Sequence, residues 1–568
     1  MKQSRRSFIK TGLAGAAWVT WATLPTKWLN PAQAAMIPWT TLERTVIPVP
    51  VPAASPKIPA NEISKYSQYG YGVWQTGPGL AQEKRLDLMP QGYGGAKAKK
   101  AARLVRFFTI SDIHITDKES PAQVIYWGLK DAISSAYSPV MMCTTHVLDA
   151  AVRTINALHK KDRIDFGISL GDACNSTQYN ELRWYMDILD GKAITPSSGA
   201  HAGAETIDYQ KPYRAPGLDK SIPWYQALGN HDQFWMGTAA VDDYLRQAYV
   251  GEDMLNLGNI FVNGITSRGF YMGALDGQTP NGDIVGMGPV SDFPAPPKVA
   301  ADPDRRSLRR KEWMGEFFHT ASKPKGHGFS QDNLDQDFAS YSFEPKADLP
   351  LKFIVLDDTQ KDEDAKSGGY LWHATVDKQR WDWLVAELDK GQAEGKLMII
   401  AAHAPIGVEK PGSPMSWWAG AHVSEAALFA KLHEYPNLIM WIAGHRHFNA
   451  VTAFPSPDSE HPELGFWQVE TASLRDFPQQ FRTFEIARNS DNTVSIFTTD
   501  VSPQVEEGSV AAKSRSYAVA AMQLITNPDI SSNFALMLPT GSYNAELVVA
   551  LSPEMQTKIK GYGTPVHA

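Results

Sequence analysis

Five short apolar segments of this chain each end in residues of the kind that bind metal ions. The segments "FFTI", "GISL", "YQAL", "MIIAA" and "LIMWIA" have the length and composition of buried strands, and polar residues follow directly. Amphipathic patterns typical of helices occupy residues 145–160, 375–390 and 424–435. Strands that alternate with helices predict a parallel sheet, and the strands of such a sheet end along a common edge. The sequence therefore predicts an α/β fold with a polar cluster at one edge.

Nine segments in all have strand composition. The last three are separated by turns alone, which is typical of antiparallel pairing, and we expect them to form or complete a second sheet. A further helix is expected within residues 302–320. The expected strands are 104–110, 164–170, 224–228, 352–357, 397–402, 438–443, 465–470, 480–487 and 493–499.

The rest of the chain divides into an arm, an insertion and an extension. Residues 35–103 are rich in Pro, Gly and Tyr and are expected to form an extended arm laid over the domain at 104–505. About residues 235–350 lack the strand–helix rhythm and are expected to be a long insertion that shapes access for a substrate. Residues 506–568 are expected to be a C-terminal extension packed on the domain.

Residues 1–34 have the pattern of an export signal. Arg5 and Arg6 precede a weakly apolar run, and the small residues Ala32 and Ala34 follow it. This pattern resembles a twin-arginine signal, which implies contact with the twin-arginine export machinery and a periplasmic or secreted protein. Nothing after it is long and apolar enough to cross a bilayer, so no stable membrane span is expected in the mature protein.

The net charge and the cysteine content limit which partners and which kinds of metal site are expected. The formal net charge is −7 and no basic stripe is present, so nucleic acid is not an expected partner. Cys143 and Cys174 are the only cysteines, too few for a Cys-rich metal site. They either form a disulfide or remain two buried thiols, and Cys174 is expected to be a small packing residue.

The residues that follow the five apolar segments are carboxylates, an amide and imidazoles. Seven of them are candidate ligands, which is too many for one tetrahedral ion and suits two ions about 3.5–4 Å apart that share a carboxylate. Gly171, Gly229 and Gly444 stand beside three of them and would allow sharp turns of the chain. In segment order, the polar residues are Asp112 and His114, Asp172, Asn230 with His231 and Asp232, His403, and His445 with His447.

The ordered set D-x-H, G-D, G-N-H-D, a single His and G-H-x-H resembles the calcineurin-like metallophosphoesterase superfamily over about residues 104–500. The resemblance implies a two-sheet α/β sandwich of the metallophosphoesterase type, with a long insertion and terminal extensions. It also implies two divalent or trivalent metal ions, Mn, Fe or Zn. Where many relatives have a second acid after the second motif, this chain has Asn175, and we expect activity to be retained. By motif, the first ion takes Asp112, His114 and His447, the second takes Asn230, His403 and His445, and Asp172 bridges them.

The implied activity is hydrolysis of a small-molecule phosphate ester, as a phosphomonoesterase or a phosphodiesterase. Two cations lower the pKa of a shared water toward ~7, and the bridging hydroxide attacks phosphorus in line. His231 is not needed as a ligand, so it is expected to protonate the leaving group, with Asp232 orienting its ring.

Other hypotheses remain open for the same residues. The alternatives are a pyrophosphate-bond hydrolase and a non-catalytic metal-binding scaffold that kept the fold. A scaffold should have lost ligands or His231, and none is missing. An iron–tyrosinate site of the purple acid phosphatase kind is disfavoured, because it needs a tyrosine near the first two motifs, where this chain has His114.

Three weaker signals have two interpretations each. Four arginines either clamp a second phosphate or form a solvated helix face, and the solvated face is favoured. His327, among glycines, either approaches the metals or is an ordinary loop residue. Residues 416–420, "SWWAG", either stack on a base or sugar or pack in the core, and packing is favoured. The arginines are Arg305, Arg306, Arg309 and Arg310.

Overall fold

A computed structural model describes residues 38–566, apart from residues 97, 132, 257–268, 368–370, 411–414 and 527–543. The expected export signal at 1–34 lies outside the described residues, so it stays a prediction. Within the described ranges, no helix combines the length and the apolar character needed to cross a bilayer.

Two large sheets form the body of the fold, one of eight strands and one of six, and three two-stranded pairs accompany them. The strands are β1 (Arg44–Pro48), β2 (Trp74–Pro78), β3 (Glu83–Arg85), β4 (Lys100–Ile110), β5 (Phe166–Ser169), β6 (Ala193–Ile194), β7 (Tyr213–Arg214), β8 (Trp224–Gln226), β9 (Phe270–Leu275), β10 (Ile284–Pro289), β11 (Tyr341–Phe343), β12 (Leu351–Val355), β13 (Leu397–Ala401), β14 (Leu438–Ala443), β15 (Ala450–Phe454), β16 (Phe466–Glu470), β17 (Phe481–Asn489), β18 (Val494–Val501), β19 (Asn544–Val549) and β20 (Thr564–Pro565).

Each sheet has a parallel centre. In the eight-stranded sheet, ordered β3-β19-β18-β17-β4-β5-β8 with β20 beside β4, the strands β4, β5 and β8 are parallel and β17 is antiparallel to β4. In the six-stranded sheet, ordered β11-β12-β13-β14-β16-β15, the four inner strands are parallel. The predicted two-sheet α/β fold class is confirmed.

One strand pairs differently from the prediction. The segment at 465–470 was expected to pair in antiparallel fashion with the two strands that follow it. As β16 it lies parallel to β14, because β15 forms a hairpin with it and reverses the chain first. Only β17 and β18 form the expected antiparallel pair, and they extend the sheet that contains β4.

Helices occupy the segments that amphipathic patterns predicted. Ser424 begins one of them as expected, since its side chain accepts the N–H of Ala427 at 3.2 Å. The helix expected within 302–320 is shorter, with a 3₁₀ turn at Pro303–Arg305 and an α-helix at Arg310–Glu316. The α-helices are α1 (Tyr66–Tyr69), α2 (Ile125–Asp131), α3 (Thr144–Lys161), α4 (Tyr179–Asp190), α5 (Asp243–Val250), α6 (Arg310–Glu316), α7 (Gln331–Gln336), α8 (Lys378–Ala393), α9 (Glu425–Leu432), α10 (Val510–Ala521) and α11 (Pro553–Ile559).

A layer of phenylalanines, Phe107, Phe166, Phe353 and Phe484, packs within the main hydrophobic core. Phe107 of β4 stacks on Phe166 and Phe484 with ring centroids 5.0 and 4.8 Å apart. Its ring also meets the edge of Phe353, from β12 of the other sheet, at 5.3 Å. Offset and edge-on ring contacts of this kind add to the free energy gained by burying the rings. This layer therefore fixes one sheet against the other, and with it the strand ends that carry the candidate ligands.

The outer segments contribute strands to the large sheets. From the expected arm, β3 pairs with β19 of the expected C-terminal extension, and β19 pairs with β18. About residues 235–350 contain the β9–β10 hairpin, helices α5 to α7 and the edge strand β11. The boundaries of arm, domain, insertion and extension stay predictions.

We expect Phe107→Ala to lower the free energy of unfolding by about 3–5 kcal/mol, because it removes a buried ring from a packed layer. Urea-induced unfolding followed by tryptophan fluorescence measures the change. Phe448→Ala is the matched control, since that ring is 44% exposed and its loss should cost under about 1 kcal/mol. Equal losses in the two variants would contradict the proposed role of the phenylalanine layer.

Candidate metal centre

All seven predicted ligands lie at the carboxyl ends of parallel strands from the two sheets. Asp112 and His114 follow β4, Asp172 follows β5 and Asn230 follows β8. From the six-stranded sheet, His403 follows β13, and His445 and His447 follow β14. Six are at most 5% exposed, and the side chain of His447 is 20% exposed. The structure thus brings the predicted residues together in one cluster, of which His447 is the most exposed member.

Asp112, His114 and His447 form the first ligand group. The Nε2 atoms of His114 and His447 are 3.1 Å apart, and His447 Nε2 is 3.3 Å from Asp112 Oδ1. Asp112 Oδ1 is buried and has no hydrogen-bond partner within the described ranges. Two imidazole nitrogens that face each other at this distance suit neighbouring ligands on one ion with bonds of about 2.1 Å.

Asn230, His403 and His445 form the second ligand group. His403 Nε2 lies 2.9 Å from Asn230 Oδ1 and 3.1 Å from His445 Nδ1. The ring of His403 is held from behind, where Nδ1 is 2.8 Å from the carbonyl oxygen of Leu170. That carbonyl can only accept, so Nδ1 keeps its proton and Nε2 is the nitrogen that an ion in the cluster would bind.

Asp172 lies between the two groups. Its Oδ2 atom is 3.6 Å from His114 Nε2 and 3.4 Å from His403 Nε2. The possible ligand atoms of Asp172, His403 and His445 lie within 4.8 Å of one another, as do those of the first group. Carboxylate oxygens and imidazole nitrogens at these distances are a donor set that suits divalent metal ions.

The cluster favours positive charge. Burial opposes ionisation of His403 and His447, yet Asp172 and Asp112 respectively raise the pKa of each imidazole to about 10. Burial and the His403 charge lower the pKa of His445 to about 3. Burial alone would raise the pKa of Asp172, but His403 and His231 hold it well below its usual value. A pair of metal cations would supply the positive charge that protons supply otherwise.

Backbone strain is concentrated in the same residues. Five predicted ligands have a positive φ between 47° and 68°, although few of the other described non-glycine residues do. A left-handed residue costs about 1–3 kcal/mol and persists only where surrounding contacts hold it, as at functional sites. The five are Asp112, His114, Asp172, His445 and His447.

All three predicted glycines leave room for ligands, and Gly171, with φ 100°, would place a Cβ 2.7 Å from His403 Nδ1. A Cβ on Gly229 would overlap the Asp172 carboxylate, and one on Gly444 would overlap Ser111 and Asp112. Any side chain at these positions would push a candidate ligand out of the cluster.

His231 and Asp232 lie beside the cluster, but Asp232 does not have the contacts expected of it. Its carboxylate accepts the backbone N–H groups of Asp172, Cys174 and Gly229, at 2.9, 3.1 and 2.9 Å. The ring of His231 is instead oriented by Asn175, whose carbonyl oxygen is 2.6 Å from Nδ1. Asp232 thus holds the loop of Asp172 and Cys174 against the loop of Gly229. The expectation that Asp232 orients the His231 ring is corrected, since Asn175 makes that contact.

Asn175, where many relatives of the resembled superfamily have an acid, contacts the first group. Its Oδ1 atom is 3.2 Å from His114 Nδ1, so the amide oxygen can accept the ring N–H. The neutral amide of Asn175 can therefore orient the His114 ring, as a carboxylate at position 175 would.

The favoured interpretation of the arginines as a solvated face is wrong for two of them. Arg305 is 1% exposed and pairs with Asp117 at 3.0 Å. Arg310 is also buried and pairs with Asp357 at 3.1 Å. A buried cation is stable only when it is paired, which explains their position inside the fold. Arg306 is exposed as expected and lies over the ring of Tyr179 at 3.5 Å.

The other weak signals are packing features. His327 is buried against Trp224, with Nδ1 2.9 Å from the Trp224 carbonyl oxygen and Nε2 2.7 Å from the Thr320 hydroxyl. Both nitrogens are therefore occupied outside the ligand groups. Trp417 donates to the carbonyl oxygen of Val423 at 2.8 Å and packs on the core, as favoured. Cys143 and Cys174 are buried free thiols, which rules out the disulfide alternative.

Sequence reasoning missed several residues that support the cluster, and three of them show why. Arg475 and Asp476 follow β16 and reach the first group through hydrogen bonds to Asn175 and His447. The rule that strand ends carry ligands would have pointed to them if β16 had been assigned as parallel. Gly237, with φ 66°, is the third, because a Cβ there would overlap His231 and Asn230. A single glycine in a loop gives no sequence signal of this kind.

Comparison with known proteins gives a distant structural similarity and no match by sequence. No family model matches the chain, and no curated protein matches it. Among solved structures, the chain is similar to a dimetal phosphatase from Danio rerio, with 12% identity and a TM-score of 0.35 over 71% of this chain and 97% of that one. By its fold and its site, the protein is a two-sheet α/β protein with a buried aspartate–histidine cluster suited to metal ions.

We expect the wild-type protein to bind about two ions per chain and Asp172→Ala to bind fewer than one, because both groups lose a shared ligand. Inductively coupled plasma mass spectrometry after gel filtration measures the content. Asp491→Asn is the control, since that carboxylate bonds Tyr93 at 2.7 Å in the β17–β18 turn. Full metal content in Asp172→Ala would rule out the bridging role.

Proposed function

We propose that the protein is a dinuclear-metal-dependent hydrolase of small phosphate esters, acting on monoesters or diesters. The observation that supports this most is the pair of ligand groups that share Asp172 Oδ2, with a further histidine, His231, beside them. The order of motifs along the sequence supports the same class. When bound, two such cations would acidify a shared water toward pKa ~7 and attract the phosphate oxygens.

The ligand roles form part of the proposal. Asp112, His114 and His447 would hold one ion, and Asn230, His403 and His445 the other. Asp172 would be held between them by its own contacts, since its Oδ1 accepts the backbone N–H of His231 at 2.8 Å. That hydrogen bond leaves Oδ2 directed between His114 and His403.

His231 is the proposed acid. Its Nδ1–H donates to the Asn175 carbonyl, which leaves Nε2 free to act, and a ring nitrogen of His231 lies within 4.8 Å of ligand atoms of His114 and Asp172. Burial lowers the pKa of His231, and the negative charge of Asp172 works in the opposite direction. A phosphate group would add negative charge and favour the protonated ring further. Nε2–H could then donate to the leaving oxygen, while Asp232 keeps the Asp172 loop in place.

Substrate access would be from the His447 side, where the cluster is least buried. A periplasmic or secreted location and passage through the twin-arginine machinery belong to the proposal too, on the strength of Arg5 and Arg6 in the sequence. The expected arm, insertion and extension would set substrate specificity around this opening.

The experiment that tests the proposed function is a substrate panel on metal-reconstituted protein. Aryl and alkyl monoesters, diesters and pyrophosphates would each be assayed with Mn, Fe and Zn. Metal-dependent turnover of an ester supports the proposal, and turnover of pyrophosphates alone would favour the pyrophosphatase alternative. Two bound ions without turnover of any member would favour the non-catalytic scaffold.

We expect His231→Ala to lower kcat by about 10²–10⁴-fold and to leave the metal content unchanged, because it removes a proton donor and not a ligand. Steady-state kinetics and metal analysis on the same preparation measure both quantities. His319→Ala is the control, because that side chain is 72% exposed. A wild-type rate in His231→Ala would refute the acid role, and lost metal would make His231 a ligand instead.

A further inference from the structure

Two consecutive residues after β16 support the imidazoles of the first ligand group, Asp476 by direct contact with His447 and Arg475 through Asn175. The Oδ2 atom of Asp476 is 2.6 Å from His447 Nδ1. Arg475 donates through one guanidinium nitrogen to Asn175 Oδ1 at 2.9 Å, and the same oxygen is 3.2 Å from His114 Nδ1. One short segment thus reaches both histidines of one group.

The carboxylate of Asp476 determines which nitrogen of His447 carries the proton. An ionised carboxylate has only acceptor oxygens, so the nitrogen facing it must be the protonated one. Nδ1–H therefore donates to Asp476, and Nε2, 3.3 Å from Asp112 Oδ1, is the nitrogen whose proton an ion would displace. Ser134 donates its hydroxyl to the same Asp476 oxygen at 3.0 Å and fixes its position.

Arg475 acts on His114 through the amide of Asn175. A guanidinium has only donors, so the amide atom that meets it must be the oxygen. That oxygen also faces His114 Nδ1, which must then carry its proton there and leave Nε2 free for the cluster. With the amide rotated by 180°, its NH₂ group would face both the guanidinium and the ring, and His114 would present the wrong nitrogen.

The segment is itself anchored to the first group. Ser473 Oγ accepts the backbone N–H groups of Arg475 and Asp476 at 2.9 and 3.2 Å, and its hydroxyl donates to the Asp112 carbonyl at 2.7 Å. Arg475 also donates to the Thr116 hydroxyl at 2.9 Å and to the Ser134 carbonyl at 3.0 Å. Both side chains are thereby held relative to the loop that carries Asp112 and His114.

The second ligand group has a different support. There the ring of His403 is oriented by a main-chain acceptor, the carbonyl oxygen of Leu170 at 2.8 Å. A main-chain contact does not depend on the side chain at that position. Changes to residues 475 and 476 should therefore affect one ion and leave the other.

We propose that Arg475 and Asp476 are positioning residues that set the tautomers of His114 and His447 and so strengthen binding of the first ion. The proposal rests on the proposed function only in taking the two ligand groups as ion sites. The contacts of such supporting residues are worth about 10–100-fold in metal affinity.

Asp476→Asn tests the direct contact. Chelator-stripped full-length protein would be titrated with Co²⁺, following its visible absorption, and with Zn²⁺ by calorimetry. One of the two ions should bind about 10–100-fold more weakly and the other unchanged. Asp491→Asn is the matched carboxylate-to-amide control, with thermal melting to verify folding. Unchanged affinities, or equal weakening of both ions, would overturn the proposal for Asp476.

Arg475→Lys tests the contact through which Arg475 orients His114 by way of Asn175. A second substitution, at Asn175, is expected to reverse its effect. Lysine keeps the charge but loses the fork that holds the amide oxygen, so one ion should again be weakened selectively. Adding Asn175→Asp should restore that ion, because a carboxylate presents an acceptor to His114 in either orientation. Failure of the rescue, with Asn175→Asp alone binding normally, would overturn the tautomer argument.

The titrations separate this proposal from the proposed function. If the wild type binds two ions and hydrolyses no ester, the proposed function fails while the effects on affinity still decide the positioning roles. If esters are hydrolysed but neither variant changes an affinity, only the positioning proposal fails.

Discussion

Asp112 and Asp172 are carboxylates buried side by side, and balancing their charge is the constraint on which the site depends. Removing an ionised carboxylate from water costs several kcal/mol even after the protein relaxes, unless hydrogen bonds and opposite charge compensate. Backbone N–H groups supply part of that compensation, from His231 to Asp172 at 2.8 Å and from His445 to Asp112 at 2.9 Å. The imidazoles around them offer nitrogen donors to metal ions, and bound cations would complete the balance.

The two-sheet fold makes this arrangement possible. Each sheet has parallel strands at its centre, and all such strands end at one edge. The phenylalanine layer around Phe107 holds the two edges against each other, so that residues far apart in sequence face one another. His403 and Asp172, for example, come from different sheets and lie 3.4 Å apart.

The sequence predicted the strand ends well and their partners less well. Apolar runs that stop at Asp, Asn or His gave the boundaries of β4, β5, β8, β13 and β14 within a few residues, because burial dictates that composition. The partner of β16 was predicted wrongly, since a five-residue apolar run does not reveal which strand lies beside it. Arg475 and Asp476 were missed as a consequence. Arg305 was misjudged for a related reason, because its partner Asp117 lies 188 positions away.

The left-handed backbone at five ligand positions also restricts which amino acids those positions can hold. Asp, Asn and His enter that conformation several times more readily than other residues, whereas β-branched side chains rarely adopt it. The residues that satisfy the backbone are thus the same ones that offer oxygen or imidazole donors to an ion. Divergence of this site should therefore run through the surrounding residues that tune the ligands, since the turns themselves permit few substitutions.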